Sequence, residues 1–275
     1  MPEGPEVRTF ADWLHQELVG TTLQRIDYND LSRYAKKTGL EHSTTLNELC
    51  PLEIIDIDAR GKKILFCLEK KETGALYFLV SSPMMEGKWT WQVGKHSGLW
   101  LELTDERKIY FDDARHFGTL EIFLTQELFL DRMGEIGPDL LVDDISDEEW
   151  LKKIRNKRLS RKKIGVYLME QKYFSGIGNY LRAEILYAAK ISPHRLLSTL
   201  TEFESLLIFH EARRLLRESY EAQGASLATY TSPYGGKGSF RVLVYAQSQD
   251  PQGNPVVAED IGDKRTTHWV PAIQV

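Results

Sequence analysis

Between residues 52 and 125, apolar and polar side chains alternate through seven short runs, and no helical pattern interrupts them. The runs are 52–58, 63–68, 75–81, 88–93, 98–104, 107–112 and 118–124, separated by turn signals such as Arg60-Gly61 and Thr104-Asp105. Short strands without intervening helices indicate an antiparallel sandwich or barrel. On either side the period is helical. Val7, Phe10, Leu14 and Leu18 recur at three- and four-residue spacing with Gly20 as a stop, which predicts an amphipathic helix from Gly4 to Val19. The acid-rich segment 131–149, with Gly134, Gly137 and Pro138, reads as a linker ending in a capping box, Ser146…Glu149. Helical patterning resumes over 147–222: Gly176 and Gly178 break one helix from the next, Pro193 marks a further start, and 201–219 is long and amphipathic. After Gly224 comes a Gly- and Ser-rich tract. Phe240-Arg241-Val242-Leu243-Val244-Tyr245 and Thr266-Thr267-His268-Trp269-Val270 then read as strands around Gly253-Asn254, a hairpin-like terminal element. The chain is therefore α+β.

At 275 residues, 42% hydrophobic and 27% charged, it is expected to form one or two compact soluble domains. No apolar run reaches membrane-spanning length, and the acidic, proline-containing start is unlike a signal peptide. Cys50 and Cys67 are isolated, without metal-ligand spacing, and are expected to be reduced and buried. An intracellular location follows. The net charge of −5 argues against a nucleic-acid partner, but it is divided unevenly. Residues 1–150 carry 16 Lys+Arg against 29 Asp+Glu, or −13; residues 151–275 carry 19 against 11, or +8. The basic excess is densest over 152–163, which fits either a solvated face or a phosphate-binding surface.

Two short motifs carry chemistry. In Met1-Pro2-Glu3-Gly4-Pro5-Glu6-Val7, a small second residue favours removal of the initiator methionine, leaving Pro2 as a secondary amine. An α-amino group titrates near ~8, so a useful fraction is an unprotonated nucleophile at neutral pH. Glu3 and Glu6 stand within one helical turn of it. The same residues also suit a plain helix start, where a missing N–H and negative charge are tolerated. In Tyr173-Phe174-Ser175-Gly176-Ile177-Gly178-Asn179-Tyr180-Leu181-Arg182-Ala183-Glu184-Ile185-Leu186-Tyr187, a glycine turn joins two helices. Backbone N–H groups at the second helix's start would make a phosphate site. An ordinary glycine-linked helix pair packed in a core fits the same description.

Segment 173–187 resembles the helix–two-turn–helix of the formamidopyrimidine-DNA glycosylase/endonuclease VIII family, and residues 1–7 resemble that family's catalytic amino terminus. Arg60-Gly61-Lys62, Ala114-Arg115-His116-Phe117-Gly118 and Lys264-Arg265-Thr266-Thr267-His268-Trp269 add matches in the same order, so the resemblance spans essentially the whole chain. It implies an N-terminal helix and antiparallel β-sandwich catalytic domain (1–130), a linker (131–149), an all-α helix–two-turn–helix DNA-binding domain (150–234) and a terminal β-hairpin (235–275). By the same resemblance Pro2 would attack C1′ of a damaged nucleotide to form a Schiff base, Glu3 would shuttle protons, and Glu6 would orient the amine. Lys62 would reach the lesion phosphate and assist catalysis. Asn179 and Arg265, the latter from the hairpin tip, would grip the flanking phosphate. Met85, Arg115 and Phe117 would fill the hole left by an everted nucleotide, and His96 would lie on the DNA-facing surface.

One departure from the family stands out. Most members close the hairpin with a four-cysteine zinc finger, yet this chain has Ser248-Gln249-Asp250-Pro251-Gln252-Gly253-Asn254-Pro255 and Trp269-Val270-Pro271-Ala272-Ile273-Gln274 where the two cysteine pairs would fall. Neither zinc nor another cofactor is expected. The arrangement resembles the zincless finger of some endonuclease VIII-like proteins of eukaryotes and large viruses, with packing by Val256, Trp269, Val270 and Ile273 expected to replace the metal. The resemblance implies a DNA glycosylase with lyase activity on abasic sites, acting on double-stranded DNA with oxidised bases or abasic sites, and cleaving the strand by β,δ-elimination. It implies a monomer in the cytoplasm or nucleus of its host, and a virus-encoded protein would fit equally. Segment 177–186 is similar to the endonuclease VIII branch, which favours oxidised pyrimidines. An 8-oxoguanine- or formamidopyrimidine-selective enzyme and a catalytically silent damaged-DNA-binding protein are the alternatives. Base-contacting residues are expected within 224–238.

Overall fold

The computed structural model describes residues 2–29, 34, 40, 42–226 and 230–275. They form two compact units. One comprises Pro2, 6–135 and 230–237, the other Glu3–Pro5, Ile136–Ser226 and Gly238–Val275.

The first unit takes all but the first turn of α1 (Gly4–Leu18), then β1 (Thr22–Tyr28), α2 (Ser43–Leu49), β2 (Leu52–Arg60), β3 (Lys63–Lys70), β4 (Ala75–Ser82), β5 (Lys88–Thr90), β6 (Ser97–Leu103), β7 (Lys108–Asp112), β8 (Thr119–Phe123) and α3 (Gln126–Gly134). The strands form one antiparallel sheet in the order β5-β7-β6-β1-β2-β3-β4-β8. Trp89 on β5 reaches back to Phe66 on β3, with ring centroids 5.7 Å apart, and donates its indole N–H to Ser81 Oγ on β4 at 3.1 Å. The sheet thus closes over itself as a sandwich, and Val7, Phe10, Leu14 and Leu18 of α1 are buried with its inward residues.

Three elements of this unit were not expected: β1, α2 and α3. β1 carries Arg25 and Asp27, pairs with β2 through only two residues and is bulged against β6, so its alternation is broken. α3 starts before the expected linker, and only its last four residues, 131–134, fall within it. Thr125 caps it by accepting Leu128 N–H at 3.4 Å, but Leu128 and Leu130 stay exposed, so their spacing marks no core face. Cys50 and Cys67 are free thiols, only half-buried rather than buried.

The second unit holds α4 (Asp147–Ile154), α5 (Ile164–Tyr167), α6 (Asn179–Ala188), α7 (Glu202–Glu221), β9 (Val257–Asp260) and β10 (Thr266–Trp269). Ser146 caps α4 at Glu149 N–H, and Thr201 with Glu204 forms a capping box on α7. Trp150 stacks on Phe209 and lies against Phe174, its indole N–H bonded to Ser205 O at 2.9 Å. After Pro193 only a three-residue 3₁₀ turn, Leu197–Thr199, forms rather than a helix. The expected strand over 240–245 is absent as well. The N–H groups of Leu243, Val244 and Tyr245 go instead to the buried Glu184 carboxylate at 2.9, 3.0 and 2.9 Å. One carboxylate from α6 satisfies three backbone donors that a ladder would otherwise need.

Candidate active site and nucleic-acid interface

In the first unit Pro2 is buried and lines a cavity of about 260 Å³ together with Glu86, Lys88, Asp112, Tyr230 and Thr231. Glu6, one turn into α1, is also buried. Burial, and then the Glu6 charge, push the neighbouring Tyr230 phenol up, so it stays a neutral hydroxyl at working pH. Tyr230 packs edge-on to Phe10 at 6.3 Å.

Lys62 sits at the tip of the β2–β3 hairpin, where Arg60 pairs with Lys63. Gly61 has φ 57° while Lys62 stays outside the left-handed region, the pattern of a type II′ turn that needs glycine first. Lys62 is half-buried; Lys63 next to it bonds Ser82 Oγ at 2.9 Å and Glu121 at 3.1 Å.

Met85 lies on the turn after β4 and is half-buried, whereas Met84 beside it, at φ 55°, is 48% exposed. Glu86 on the same turn pairs with Arg115 at 3.2 Å. The loop carrying Arg115 is built on Asp113, 1% exposed. Its carboxylate accepts Arg115 N–H at 3.1 Å, Gly118 N–H at 2.6 Å and the Tyr34 hydroxyl at 3.1 Å. That collar holds His116 at φ 52° and leaves Phe117 49% exposed. A Cβ on Gly118 would stand 2.4 Å from the Phe111 ring, so only glycine closes the loop. His96 is half-buried, its N–H on Asp112 at 3.2 Å and its ring 6.5 Å from His116.

The second unit holds Glu3, 1% exposed. One carboxylate oxygen accepts Gly178 N–H at 2.6 Å and Leu181 N–H at 3.3 Å, and the other accepts Tyr180 N–H at 2.9 Å. These are the donors at the start of α6 that sequence reasoning reserved for a phosphate, and Glu3 takes them. Gly4 N–H bonds Gly176 O at 2.8 Å, and a Cβ on Gly4 would meet Gly176 Cα at 2.8 Å. Gly4 is required for that approach, and Gly176 is favoured by its φ of 102°.

Asn179, first in α6, donates Nδ2–H to Thr266 O at 2.8 Å. It is thereby tied to the residue following Arg265, which is exposed on the β9–β10 turn. Its Oδ1 accepts from Arg182, a fully buried guanidinium that also donates to Asp263 at 2.6 Å and to Gly165 O at 3.3 Å. Asp263 in turn accepts Arg265 N–H at 3.2 Å. Asn179 and Arg265 are therefore brought together, through Arg182 and Asp263. Neither of these two, nor Asp113, Glu86 or Tyr230, was singled out from sequence; the Asp that opens Asp113-Ala114-Arg115 was the readable sign for the collar. Of the segment expected to touch a base, 227–229 lie outside the described residues, as does Met1.

The knuckle positions do not fit zinc. They offer Asp250 and Gln274, whose side-chain oxygens accept hydrogen bonds within their own loops, and Asn254, whose amide donates to Asp250; no group of three or more metal-binding side chains occurs among the described residues. Val256, Val270 and Ile273 pack with Ala183 and Val244, whereas Trp269 lies apart, its ring edge on His194 and its N–H on Glu259 at 2.7 Å.

Comparison with known proteins covers nearly the whole chain. Family models described as the formamidopyrimidine-DNA glycosylase N-terminal, H2TH and C-terminal domains match residues 1–120, 136–231 and 236–275. A formamidopyrimidine-DNA glycosylase of an Exiguobacterium species is 31% identical, over all of this chain and 99% of that one. The crystal structure of the MutM (Fpg) protein of Thermus thermophilus superposes with a TM-score of 0.84 at 29% identity, over 99% of this chain and 98% of that one. Lactococcus lactis Fpg in complex with DNA containing an abasic site gives 0.83 at 28%, over 99% of both. No helix among the described residues is long and apolar enough to cross a membrane.

Proposed function

The chain belongs to the formamidopyrimidine-DNA glycosylase family, and from that premise we propose a bifunctional DNA glycosylase and abasic-site lyase of base excision repair. Once Met1 is removed, the Pro2 amine attacks C1′ of the damaged nucleotide. The glycosidic bond breaks, the base leaves with a proton, and the sugar opens to an iminium on Pro2. The iminium acidifies C2′–H: loss of that proton expels the 3′ phosphate, loss of the C4′ proton then expels the 5′ phosphate, and water hydrolyses the C=N bond to release the protein.

Glu3, consecutive with Pro2, is the proton carrier; Glu6 orients the amine. Lys62, Asn179 and Arg265 stabilise phosphate charge as it develops. Met85, Arg115 and Phe117 occupy the space of the everted nucleotide, with His96 on the same DNA-facing side. The observation that carries the reading is the Glu3 carboxylate. It is pinned by three backbone N–H groups of the Gly178–Leu181 turn, which fixes the backbone immediately after the nucleophile.

The lesion we favour is an oxidised pyrimidine, supported by the likeness of 177–186 to the endonuclease VIII branch. A second reading, excision of formamidopyrimidine or 8-oxoguanine, is supported by the names of the relatives and by a neighbouring MutM complex with carbocyclic 8-oxo-G DNA. The enzyme works inside the cell, on duplex DNA. One competition assay with equal amounts of 5-hydroxyuracil and 8-oxoguanine duplexes separates the two readings. Faster release of 5-hydroxyuracil is expected; preferential release of 8-oxoguanine reverses the assignment.

A further inference from the structure

The terminal hairpin keeps its shape where the metal of its relatives cannot bind. We propose that two buried side chains, Asp250 and Gln274, close the two knuckles in place of zinc and so position Arg265 at the far end of the hairpin.

Each side chain gathers its own loop. Asp250, 5% exposed, accepts the N–H groups of Gln252 and Asn254 on one oxygen at 2.9 and 2.8 Å, and takes Asn254 Nδ2–H and the Tyr187 hydroxyl on the other at 3.0 and 3.1 Å. The loop is sealed by Asp250 N–H on Asn254 O and Val256 N–H on Ser248 O, both 3.0 Å. Gln274, 2% exposed, accepts Val270 N–H at 2.7 Å and donates to Ile191 O at 3.0 Å. Tyr187 belongs to α6 and Ile191 lies just past its end, so one knuckle is anchored to that helix and the other to the segment that follows it. A tetrahedral metal draws two loops together through four ligands. Here two oxygen-bearing side chains draw in N–H and O–H donors to the same mechanical end.

The consequence reaches Arg265 through the β9–β10 ladder. Val257 pairs with Trp269 at the knuckle end and Asp260 with Thr266 at the tip, and Arg265 immediately precedes that last pair. Fixing the base of a four-pair hairpin fixes the direction of its tip. Asp250 and Gln274 are positioning residues; they touch no DNA. The inference rests on the reading of Arg265 as a phosphate-gripping residue.

The test is the affinity for a tetrahydrofuran-containing duplex over a range of KCl, for wild type, D250A, Q274A, R265A and the D250A/R265A double variant. D250A and Q274A are expected to raise Kd about tenfold and to lower the salt slope by about one. The double variant is expected to bind within about twofold of R265A, because the two changes remove the same contact. D250A and R265A effects that multiply, or an unchanged Kd for D250A and Q274A alongside a weakened R265A, overturn the inference. An R265A protein that binds like wild type contradicts the phosphate reading instead. If D250A fails to fold, Tyr187→Phe removes a single hydrogen bond to the same carboxylate and is expected to weaken binding about threefold; no change there, with Q274A also silent, is equally contrary. Chelator should leave wild-type affinity untouched, and a loss on chelation would return the role to a metal.

Discussion

Glu3 shows how one residue can serve both structure and chemistry. Its carboxylate is an acceptor-only group surrounded by three donors, and each of those N–H groups would be buried and unsatisfied without it. Glu3→Gln keeps the shape but turns an NH₂ toward one donor. The expected outcome is a loss of about 10²-fold or more in base release, read by single-turnover kinetics, with stability reduced by roughly 1–3 kcal/mol in denaturant melts. Base release at the wild-type rate would remove Glu3 from the proton path. Much at this scale was legible in the sequence. Pro2 and Glu3 drew attention by their own chemistry, an amine beside a carboxylate, whereas Lys62, Asn179 and Arg265 were named through resemblance to the family. Arg182, Asp263 and Asp113 were not singled out, because each acts through a partner distant in sequence or through backbone N–H groups that no side-chain pattern announces.

At the scale of elements, the joint between the chain start and α6 depends on two glycines in contact. Gly4→Ala places a methyl 2.8 Å from backbone atoms that cannot rotate away. A cost of about 1–3 kcal/mol is expected, visible as a lowered melting temperature; a melting temperature equal to wild type would mean the joint is looser than its geometry. A second element-level expectation concerns pH. Glu121 on β8 binds Lys63 of β3 and Arg132 of α3. Burial would raise its pKa, but the hydrogen bonds and charges of Arg132 and Lys63 outweigh that and hold it below the ordinary carboxylate range. A lowered folded-state pKa gives stability that is complete above the unfolded value, near ~4.3, and lost as pH falls through the folded one. Denaturant melts between neutral pH and pH 3 should show that acid loss diminished in E121Q, and an unaltered acid limb would contradict the assignment. Strands β2 to β8 were readable because buried apolar residues recur along them, alternating on β3, β7 and β8 and running consecutively on β4. β1, α3 and the non-strand at 240–245 were not, since a bulge, exposed leucines and a carboxylate clamp each break the link between periodicity and burial.

For the molecule as a whole, a net charge of −5 argues against a polyanionic substrate, yet the second half carries +8. Local charge decides. With Lys62 and Arg265 on phosphates, the logarithm of affinity for lesion duplex should fall with the logarithm of salt at a slope of about −2 or steeper; a flat dependence would contradict the phosphate assignments. The division into a β-rich and a helical region was visible from the change of hydrophobic period. A hairpin-like terminal element was legible from the strand pattern, but its first strand is Val257–Asp260 and not 240–245, and the hydrogen bonds that close it involve Asp and Gln, residues without a metal-like signature.

Everything proposed for catalysis depends on a secondary amine at Pro2. Borohydride added during reaction with an abasic duplex, followed by tandem mass spectrometry of the trapped peptide, locates the covalent bond directly. The account predicts a reduced sugar remnant on Pro2 with Met1 absent; an adduct on a lysine, or full activity from protein that retains Met1, contradicts it.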